Sequence, residues 1–182
     1  MAADGYNPII AVGFKYATAL QTVAAEVPNT KFAIVDDSSI TLPNVTSLVF
    51  AEEQGSYLVG AAAALKSKAC HIGFVGGVDV PLIQKFEAGY VAGAKAVAPD
   101  IKIEIKYISP AGDFTGFQDP AKGNTVAAGQ LDAGADVIYH AAGASARACS
   151  RPSRPRTPPT RRATRSASTP TRSRRPTPPT RA

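Results

Sequence analysis

The sequence predicts an α/β fold built around parallel strands. Short apolar runs that favour strands alternate with longer stretches whose apolar residues recur at helical spacing. Residues 1–144 carry this pattern, and a stretch of that length can bury a sizeable core. Strands that alternate with helices form right-handed strand–helix–strand units, and such units build a parallel sheet.

Three strand-like runs lie in the first part of the chain. "PIIAVGF" at 8–14 and "KFAIVDD" at 31–37 are rich in β-branched and apolar residues, and the helical stretch "YATALQTVAAEV" at 16–27 separates them. A shorter run, "VTSLVF" at 45–50, follows the turn signal "LPN". This part is therefore predicted to contain a small group of strands with one helix.

The second part repeats the alternation with longer elements. A helix at 52–68 precedes the strand "HIGFVGG" at 71–77, and the next helix, at 81–98, opens with Pro81. Proline is favourable at the first helical position because its missing N–H would have no partner there. The remaining elements are a strand at 102–109, a polar loop at 110–118, a helix at 120–135 and a strand at 136–143.

Charge divides the chain into two unlike regions. The whole chain has a net charge of +6, which alone would suggest an anionic partner such as nucleic acid or a membrane surface. Residues 1–144 carry nine lysines, no arginine and all fourteen acidic residues, for a charge of −5. Residues 145–182 carry eleven arginines with no lysine and no acid, for a charge of +11. This C-terminal tail also has no large apolar side chain, so we expect it to be disordered.

Several functional classes find no support in the residues. Cys70 and Cys149 form neither a disulfide framework nor a metal motif, and no segment has the roughly 20 apolar residues that span a bilayer. No cysteine, aspartate or glutamate stands at a metal-ligand spacing from His71 or His140, so each histidine is predicted to have a structural rather than a catalytic role. No nucleophile and base can be paired from the sequence. We therefore expect no catalytic residues, no cofactor and no metal.

The predicted topology indicates a ligand site without reference to any sequence motif. Ligands of open α/β sheets bind beyond the carboxyl ends of the strands. The residues at those positions are Gly13, Phe14, Asp36, Asp37, Gly76, Gly77, the loop 113–119 and the segment 140–143.

Each nominated residue type also has a structural explanation. Asp36 and Asp37 can accept hydrogen bonds from ligand hydroxyls, or one of them can cap the following turn. Phe114 and Phe117 can stack on a flat heterocycle or pack back onto the core. "GFVGG" at 73–77 lacks the G-x-G-x-x-G spacing of a dinucleotide site, so a strand-to-helix turn or hinge is favoured over a phosphate loop.

A long series of segments resembles one known family. These are "VGFKYATAL", "PNTKFAIVDD", "LPNVTSLVFAEEQGSYLVGAAAALKSK", "IGFVGGVDVPLIQKFEAGYVAGAKAV", "GFQDPAKG" and "GADVIYHAAG". In this order, from about Pro8 to Gly143, they resemble the basic membrane lipoproteins, the PnrA-like substrate-binding proteins of ABC transporters.

The resemblance implies a fold, a function and two site residues. It implies a type I periplasmic-binding-protein fold of two Rossmann-like lobes, with residues 1–50 in the N-terminal lobe and residues 51–144 in the second. Such proteins capture a purine nucleoside and pass it to a membrane permease, and a lipid anchor holds them at the extracytoplasmic face of the cell membrane. By position, Asp36 matches a ligand-bonding aspartate and Phe117 an aromatic that stacks on the base.

The ends of the chain depart from the family pattern. The resemblance leads us to expect a lipoprotein signal, a first strand and an Asp-rich loop ahead of the first residue, and further strands with another ligand aspartate after Gly143. We therefore expect a truncated chain with impaired nucleoside binding. A shifted reading frame from Ser145 permits the peptides "GAGVF" and "GVDSDQVQTADPAYA", which resemble the family at those places. A single-nucleotide frameshift near Ser145 is thus one hypothesis for the basic tail.

Two other functional classes stay open on the residues alone. A nucleotide-using α/β enzyme would need a phosphate loop or catalytic pair. A polyanion-binding protein would use residues 145–182, although an arm for nucleic acid would be rich in lysine as well as arginine. We expect no specific nucleic-acid partner.

Overall fold

The fold contains two parallel sheets of three strands each. The computed structural model describes residues 1–149, and the side chains of residues 1–147. The basic tail from residue 150 onwards, including its predicted disorder, lies outside the described residues. The predicted α/β class is confirmed, since every strand pair in both sheets is parallel.

The first sheet is formed by the first three strands. Its order is β1 (Ile9–Val12), β2 (Phe32–Val35) and β3 (Val45–Leu48), with Ile9 beside Phe32 and Phe32 beside Val45. Helix α1 (Ala17–Glu26) covers one face, where Leu20 and Ala24 pack against Phe32 and Ile34.

The first strand is shorter than the sequence predicts. The pattern predicts a strand through residue 14, but the strand ends at Val12 because Gly13 has a φ of 111°. That backbone conformation is open to glycine and rare for other residues. A short 3-10 turn, Phe14–Tyr16, follows at once and leads into α1. The turn places Phe14 at the carboxyl end of the sheet.

The second sheet has its longest strand in the centre. Its order is β5 (Lys102–Ser109), β4 (His71–Val78) and β6 (Val137–Ala141). All eight residues of β4 are buried. Parallel strands covered on both faces read as continuous apolar runs, and "HIGFVGGV" has this character.

Three helices surround the second sheet. Helices α2 (Glu52–Lys66) and α3 (Pro81–Val97) pack closely on one another and on the core around Phe74 and Tyr90. Helix α4 (Pro120–Asp132) packs against the other side, where buried Gln130 donates to the backbone carbonyls of Phe74 and Glu104. Proline is the first residue of α3 and of α4, as the sequence predicts.

The described part of the chain ends in two short turns. A 3-10 turn, Gly143–Ser145, is followed by the helical turn α5, Ala146–Cys149. Ser145 is fully buried beneath α4. The division into lobes at residues 1–50 and 51–144 and the start of the tail at residue 145 stay predictions.

Candidate functional site

A cavity with charged walls opens at the carboxyl ends of the first sheet. Its volume is about 260 Å³. The lining residues come from the ends of β1 and β2, from the segment after β3 and from the start of α3, and they are Phe14, Asp36, Asp37, Ser38, Ser39, Val49, Val80, Pro81, Leu82 and Lys85. The site therefore lies where topology predicts it, between elements of both sheets.

A larger cavity of about 560 Å³ lies along β1. Its walls are mostly the apolar side chains of β1 and α1, and no charged side chain lines it. Ligand sites combine an apolar wall with a few convergent polar groups. The smaller cavity meets that requirement, so we take it as the candidate site.

Asp36 and Asp37 differ in what their carboxylates contact. The Asp37 carboxylate accepts from the backbone N–H of Ser39 at 2.8 Å and from the Ser39 hydroxyl at 2.6 Å. It is therefore the aspartate that caps the turn. The Asp36 carboxylate has no hydrogen bond or ion pair within residues 1–149, so it can accept bonds from a ligand.

Asp36 is also held in an unusual backbone conformation. Its φ of 67° lies in the left-handed region, and its N–H donates to the Leu48 carbonyl at 2.9 Å. Residues other than glycine are uncommon there, and they concentrate at functional sites. The sheet ladder thus fixes the backbone that presents this carboxylate to the cavity.

Three phenylalanine rings meet beside the cavity. The Phe14 ring lies 5.7 Å from the Phe114 ring and 6.1 Å from the Phe117 ring, measured between centroids. The Lys15 ammonium lies over the same two rings, at 5.1 Å and 5.8 Å from their centroids. These contacts join the loop after β1 to the 3-10 turn Phe114–Phe117.

Gly77 provides the seat on which the Phe117 ring rests. A Cβ atom added at Gly77 would lie 2.4 Å from Cδ1 of that ring, so only glycine leaves room for it. A Cβ atom added at Gly116 would likewise clash with the Gly77 carbonyl oxygen. Phe117 is therefore positioned by the end of β4, where Gly77 allows close packing of this ring, whereas Gly76 packs against the Tyr107 ring.

Two polar residues hold the Phe114–Phe117 turn in place. The Asp113 carboxylate accepts from the Thr115 hydroxyl at 2.6 Å and from the Thr115 N–H at 3.0 Å, and these bonds lower the pKa of Asp113. The Ser145 hydroxyl donates to the Gly116 carbonyl at 2.8 Å and accepts from the Asp119 N–H at 2.8 Å.

The sequence prediction missed Lys85 and the glutamate beneath it. Lys85 lines the cavity, and its ammonium lies 3.4 Å from Oε2 of Glu52, whose side chain is only 7% exposed. Lys85 lies four residues after Pro81, on the same face of α3. Pro81 lies close to a predicted strand end, so this spacing is the sequence feature that could have identified Lys85 as a residue of the site.

The structure brings most of the predicted site residues together. Asp36 and Phe14 line the cavity, Gly13 precedes Phe14, and Phe117 contacts Phe14 and rests on Gly77. His140 is half-buried on β6 beside Val75 and is not among the residues that line this cavity. The ligand roles of all six residues stay predictions.

Neither a metal site nor a membrane span is found in the described residues. Residues 1–149 contain no cluster of three or more histidine, cysteine, aspartate or glutamate side chains that could hold a metal ion. None of their helices is long and apolar enough to cross a membrane.

Comparison with known proteins identifies a family and several relatives. A family model described as "ABC transporter substrate-binding protein PnrA-like", the Bmp family, matches residues 1–156. The "ABC transporter nucleoside-binding protein BmpA" of Lactococcus lactis is 44% identical over 140 residues, which are 77% of this chain and 38% of that protein. "Basic membrane protein A1" of Borrelia garinii is 37% identical, over 76% of this chain and 40% of that protein.

A solved structure gives the same assignment. A solute-binding protein of an ABC transporter system from Aeropyrum pernix K1 superposes with a TM-score of 0.69 at 28% identity. The match covers 81% of this chain and 42% of that one. The chain thus spans about two fifths of the length of these relatives.

The family is one of transport components and not of enzymes. The alternative of a nucleotide-using α/β enzyme is therefore wrong. The two parallel sheets, the charged cavity at their carboxyl ends and the match over residues 1–156 agree with one another. The chain belongs to the PnrA-like Bmp family of ABC transporter substrate-binding proteins.

Proposed function

We propose that this chain captures a purine nucleoside for transport, with the base beside Phe117 and the ribose near Asp36. The observation that carries the proposal is the uncommitted Asp36 carboxylate in a cavity that adjoins the cluster of Phe14, Phe114 and Phe117. The naming of the Lactococcus lactis relative as nucleoside-binding supports this ligand class.

The two proposed contacts match the two chemical halves of a nucleoside. An ionised carboxylate only accepts hydrogen bonds, so Asp36 suits the hydroxyl donors of a ribose. An aromatic ring stacks on a base with a contribution of roughly 1–3 kcal/mol. Asp36 follows β2 of the first sheet, and Phe117 lies in the 3-10 turn after β5 of the second. A ligand that bridges them would therefore join the two halves of the molecule.

Ligand entry requires a rearrangement of the aromatic cluster. The Phe14 ring lies 6.1 Å from the Phe117 ring between centroids, and the Lys15 ammonium lies over the Phe117 ring at 5.8 Å. A base that stacks on Phe117 must replace one of these contacts. A cation–π contact at an exposed site is worth only about 0.5–1 kcal/mol, so Lys15 is readily displaced.

The transport role extends the proposal to partners and location. We propose that the protein works at the extracytoplasmic face of the cell membrane, held by a lipid anchor, and that it delivers its ligand to an ABC permease. The supporting observations are the family match and the name "basic membrane protein" given to the Borrelia garinii relative.

A nucleoside titration of the 182-residue chain tests the proposal. Ligand-observed NMR with inosine, adenosine and guanosine detects weak as well as tight binding. We expect Asp36→Asn to weaken binding by about tenfold, because the amide replaces charge-assisted hydrogen bonds with weaker neutral ones. We expect Phe117→Ala to weaken binding by about fivefold or more, because it removes a stacking contact worth roughly 1–3 kcal/mol.

Asp37→Asn is the matched control. Its side-chain oxygen still accepts from Ser39, so the turn is kept and the neighbouring carboxylate is left intact. We expect this variant to bind within about twofold of the parent chain. The proposal fails if no nucleoside binds, or if Asp36→Asn and Asp37→Asn bind alike.

A further inference from the structure

We propose that Lys85 is a second ligand-contacting residue, held in position by Glu52, and that it donates to an acceptor atom of the bound molecule. This inference rests on the nucleoside function proposed above. It adds a positively charged donor to a cavity in which only an acceptor, Asp36, has so far been assigned a role.

The Glu52 carboxylate is the fixed part of the pair. Its side chain is 7% exposed, and Oε1 has no hydrogen-bond partner among the described residues. Oε2 faces the Lys85 ammonium at 3.4 Å. A buried carboxylate is costly unless a positive charge lies beside it, so Glu52 holds the lysine close.

The Lys85 ammonium keeps free donor capacity toward the cavity. A lysine ammonium has three N–H donors, and within residues 1–149 it makes one hydrogen bond, to Glu52. That bond is long for a charge-assisted contact, for which about 2.7–2.9 Å is usual. The side chain is 42% exposed, so the remaining donors are accessible.

Lys85 and Asp36 lie on the walls of the same cavity without pairing. No ion pair within 4.0 Å joins Lys85 to Asp36 or Asp37, although all three line a cavity of about 260 Å³. Opposite charges held apart in this way leave room for a molecule with donors on one side and acceptors on the other. A nucleoside has both, in its hydroxyl groups and in its ring nitrogens or carbonyl oxygens.

The stability of the pair and its role in binding can be separated by a double variant. Lys85→Met alone leaves Glu52 buried without a partner, and it will destabilise the chain whether or not Lys85 meets ligand. Lys85→Met combined with Glu52→Gln removes both charges with little change of shape. We expect the double variant to melt closer to the parent chain than the single variant does.

Inosine titration by ligand-observed NMR then tests the contact. We expect the double variant to bind inosine about tenfold more weakly, despite its recovered stability, because a charge-assisted hydrogen bond is lost. We expect Lys85→Arg to retain more affinity than Lys85→Met, since arginine still donates. Lys95→Met is the matched control, because Lys95 is exposed on the same helix and does not line the cavity.

The outcomes distinguish this inference from the nucleoside function. If Asp36→Asn and Phe117→Ala weaken inosine binding while the double variant binds within twofold of the parent, the role of Lys85 is overturned and the function stands. If the parent chain binds no nucleoside, both are overturned. Weakening in the double variant with unchanged binding by Lys95→Met supports the inference.

Discussion

The two sheets have the same number and direction of strands but differ in how they are covered. In the second sheet, every residue of β4 is buried between α2 and α3 on one side and α4 on the other. In the first sheet, α1 covers one face only, and the other face leaves Ile10 and Val12 exposed at 61% and 70%.

This difference shows where the stability of the described chain resides. Parallel sheets are normally buried on both faces, and only the central strand of the second sheet meets that condition throughout. Its core joins Phe74, Tyr90, Tyr107 and Tyr139 through ring contacts of 5.1–6.3 Å. The first sheet instead presents an apolar surface, and such surfaces favour association with other molecules. The candidate site combines an aromatic cluster that packs on the well-covered sheet with a free carboxylate at the end of a strand of the poorly covered sheet.

The largest expected effect compares a buried residue of the second sheet with an exposed residue of the first. We expect Phe74→Ala to lower the free energy of unfolding by about 3–5 kcal/mol, because Phe74 is fully buried and contacts three tyrosine rings. We expect Val12→Ala to lower it by less than about 1 kcal/mol, since Val12 is 70% exposed. Urea unfolding followed by circular dichroism measures both. Equal losses of unfolding free energy in the two variants would contradict the inference that the sheets differ in their contribution to stability.

A second, smaller effect concerns the seat of Phe117. We expect Gly77→Ala to cost about 1–3 kcal/mol, because its Cβ would lie 2.4 Å from the Phe117 ring and 3.1 Å from the Ala142 Cα. The ring must then move outward, so nucleoside binding should also weaken. Gly129→Ala is the control, since Gly129 lies in α4 with open space around it. An intact affinity in Gly77→Ala would show that the ring position is unimportant for binding.

The sequence predicts the elements better than their arrangement. The alternation of apolar runs and helical stretches predicts every strand found in residues 1–149, because burial and propensity act over neighbouring residues. The same alternation predicted a parallel sheet without showing that the strands divide into two, since strand order depends on contacts between distant segments. The Glu52–Lys85 pair escaped prediction for that reason, because 33 residues separate its members.

For the site residues too, the sequence predicts features that depend on neighbouring residues but not contacts between distant segments. Position at strand ends nominated Asp36 and Asp37 together, but the sequence left open which of them caps the turn. The structure resolves this through the contacts of Asp37 with Ser39. The seat of Phe117 on Gly77 joins segments 40 residues apart, and "FVGG" alone gave no sign of it.

The smallest effect compares two residues that fill the same structural place in the two sheets. Asn44, just before β3, donates through its buried amide to the carbonyls of Ala24, Val27 and Thr30, and so ties down the turn between α1 and β2. Asp136, just before β6, accepts from Ser67, Lys68 and Ala69, and so ties down the turn between α2 and β4. The side chain of Asp136 is ionisable and that of Asn44 is not, so only the hydrogen bonds of Asp136 can depend on pH.

Acid should therefore weaken the tie at Asp136 and leave the tie at Asn44 unchanged. The Ser67 hydroxyl, followed by the backbone N–H groups, lowers the pKa of Asp136 below its ordinary value. The stabilisation that the Asp136 carboxylate contributes is thus fully present above the pKa of this group in the unfolded chain, about 4. It is lost as the pH falls through the lowered pKa of the folded chain.

We expect Asp136→Asn to lower the melting temperature by about 2–4 °C at pH 7, since an exposed charged contact is worth no more than about 1 kcal/mol. That deficit should shrink as the pH is lowered toward 3, whereas the deficit of Asn44→Ala should stay constant. Melting curves followed by circular dichroism at several pH values measure both, and parallel behaviour of the two variants would contradict the assignment of this tie to a charged carboxylate.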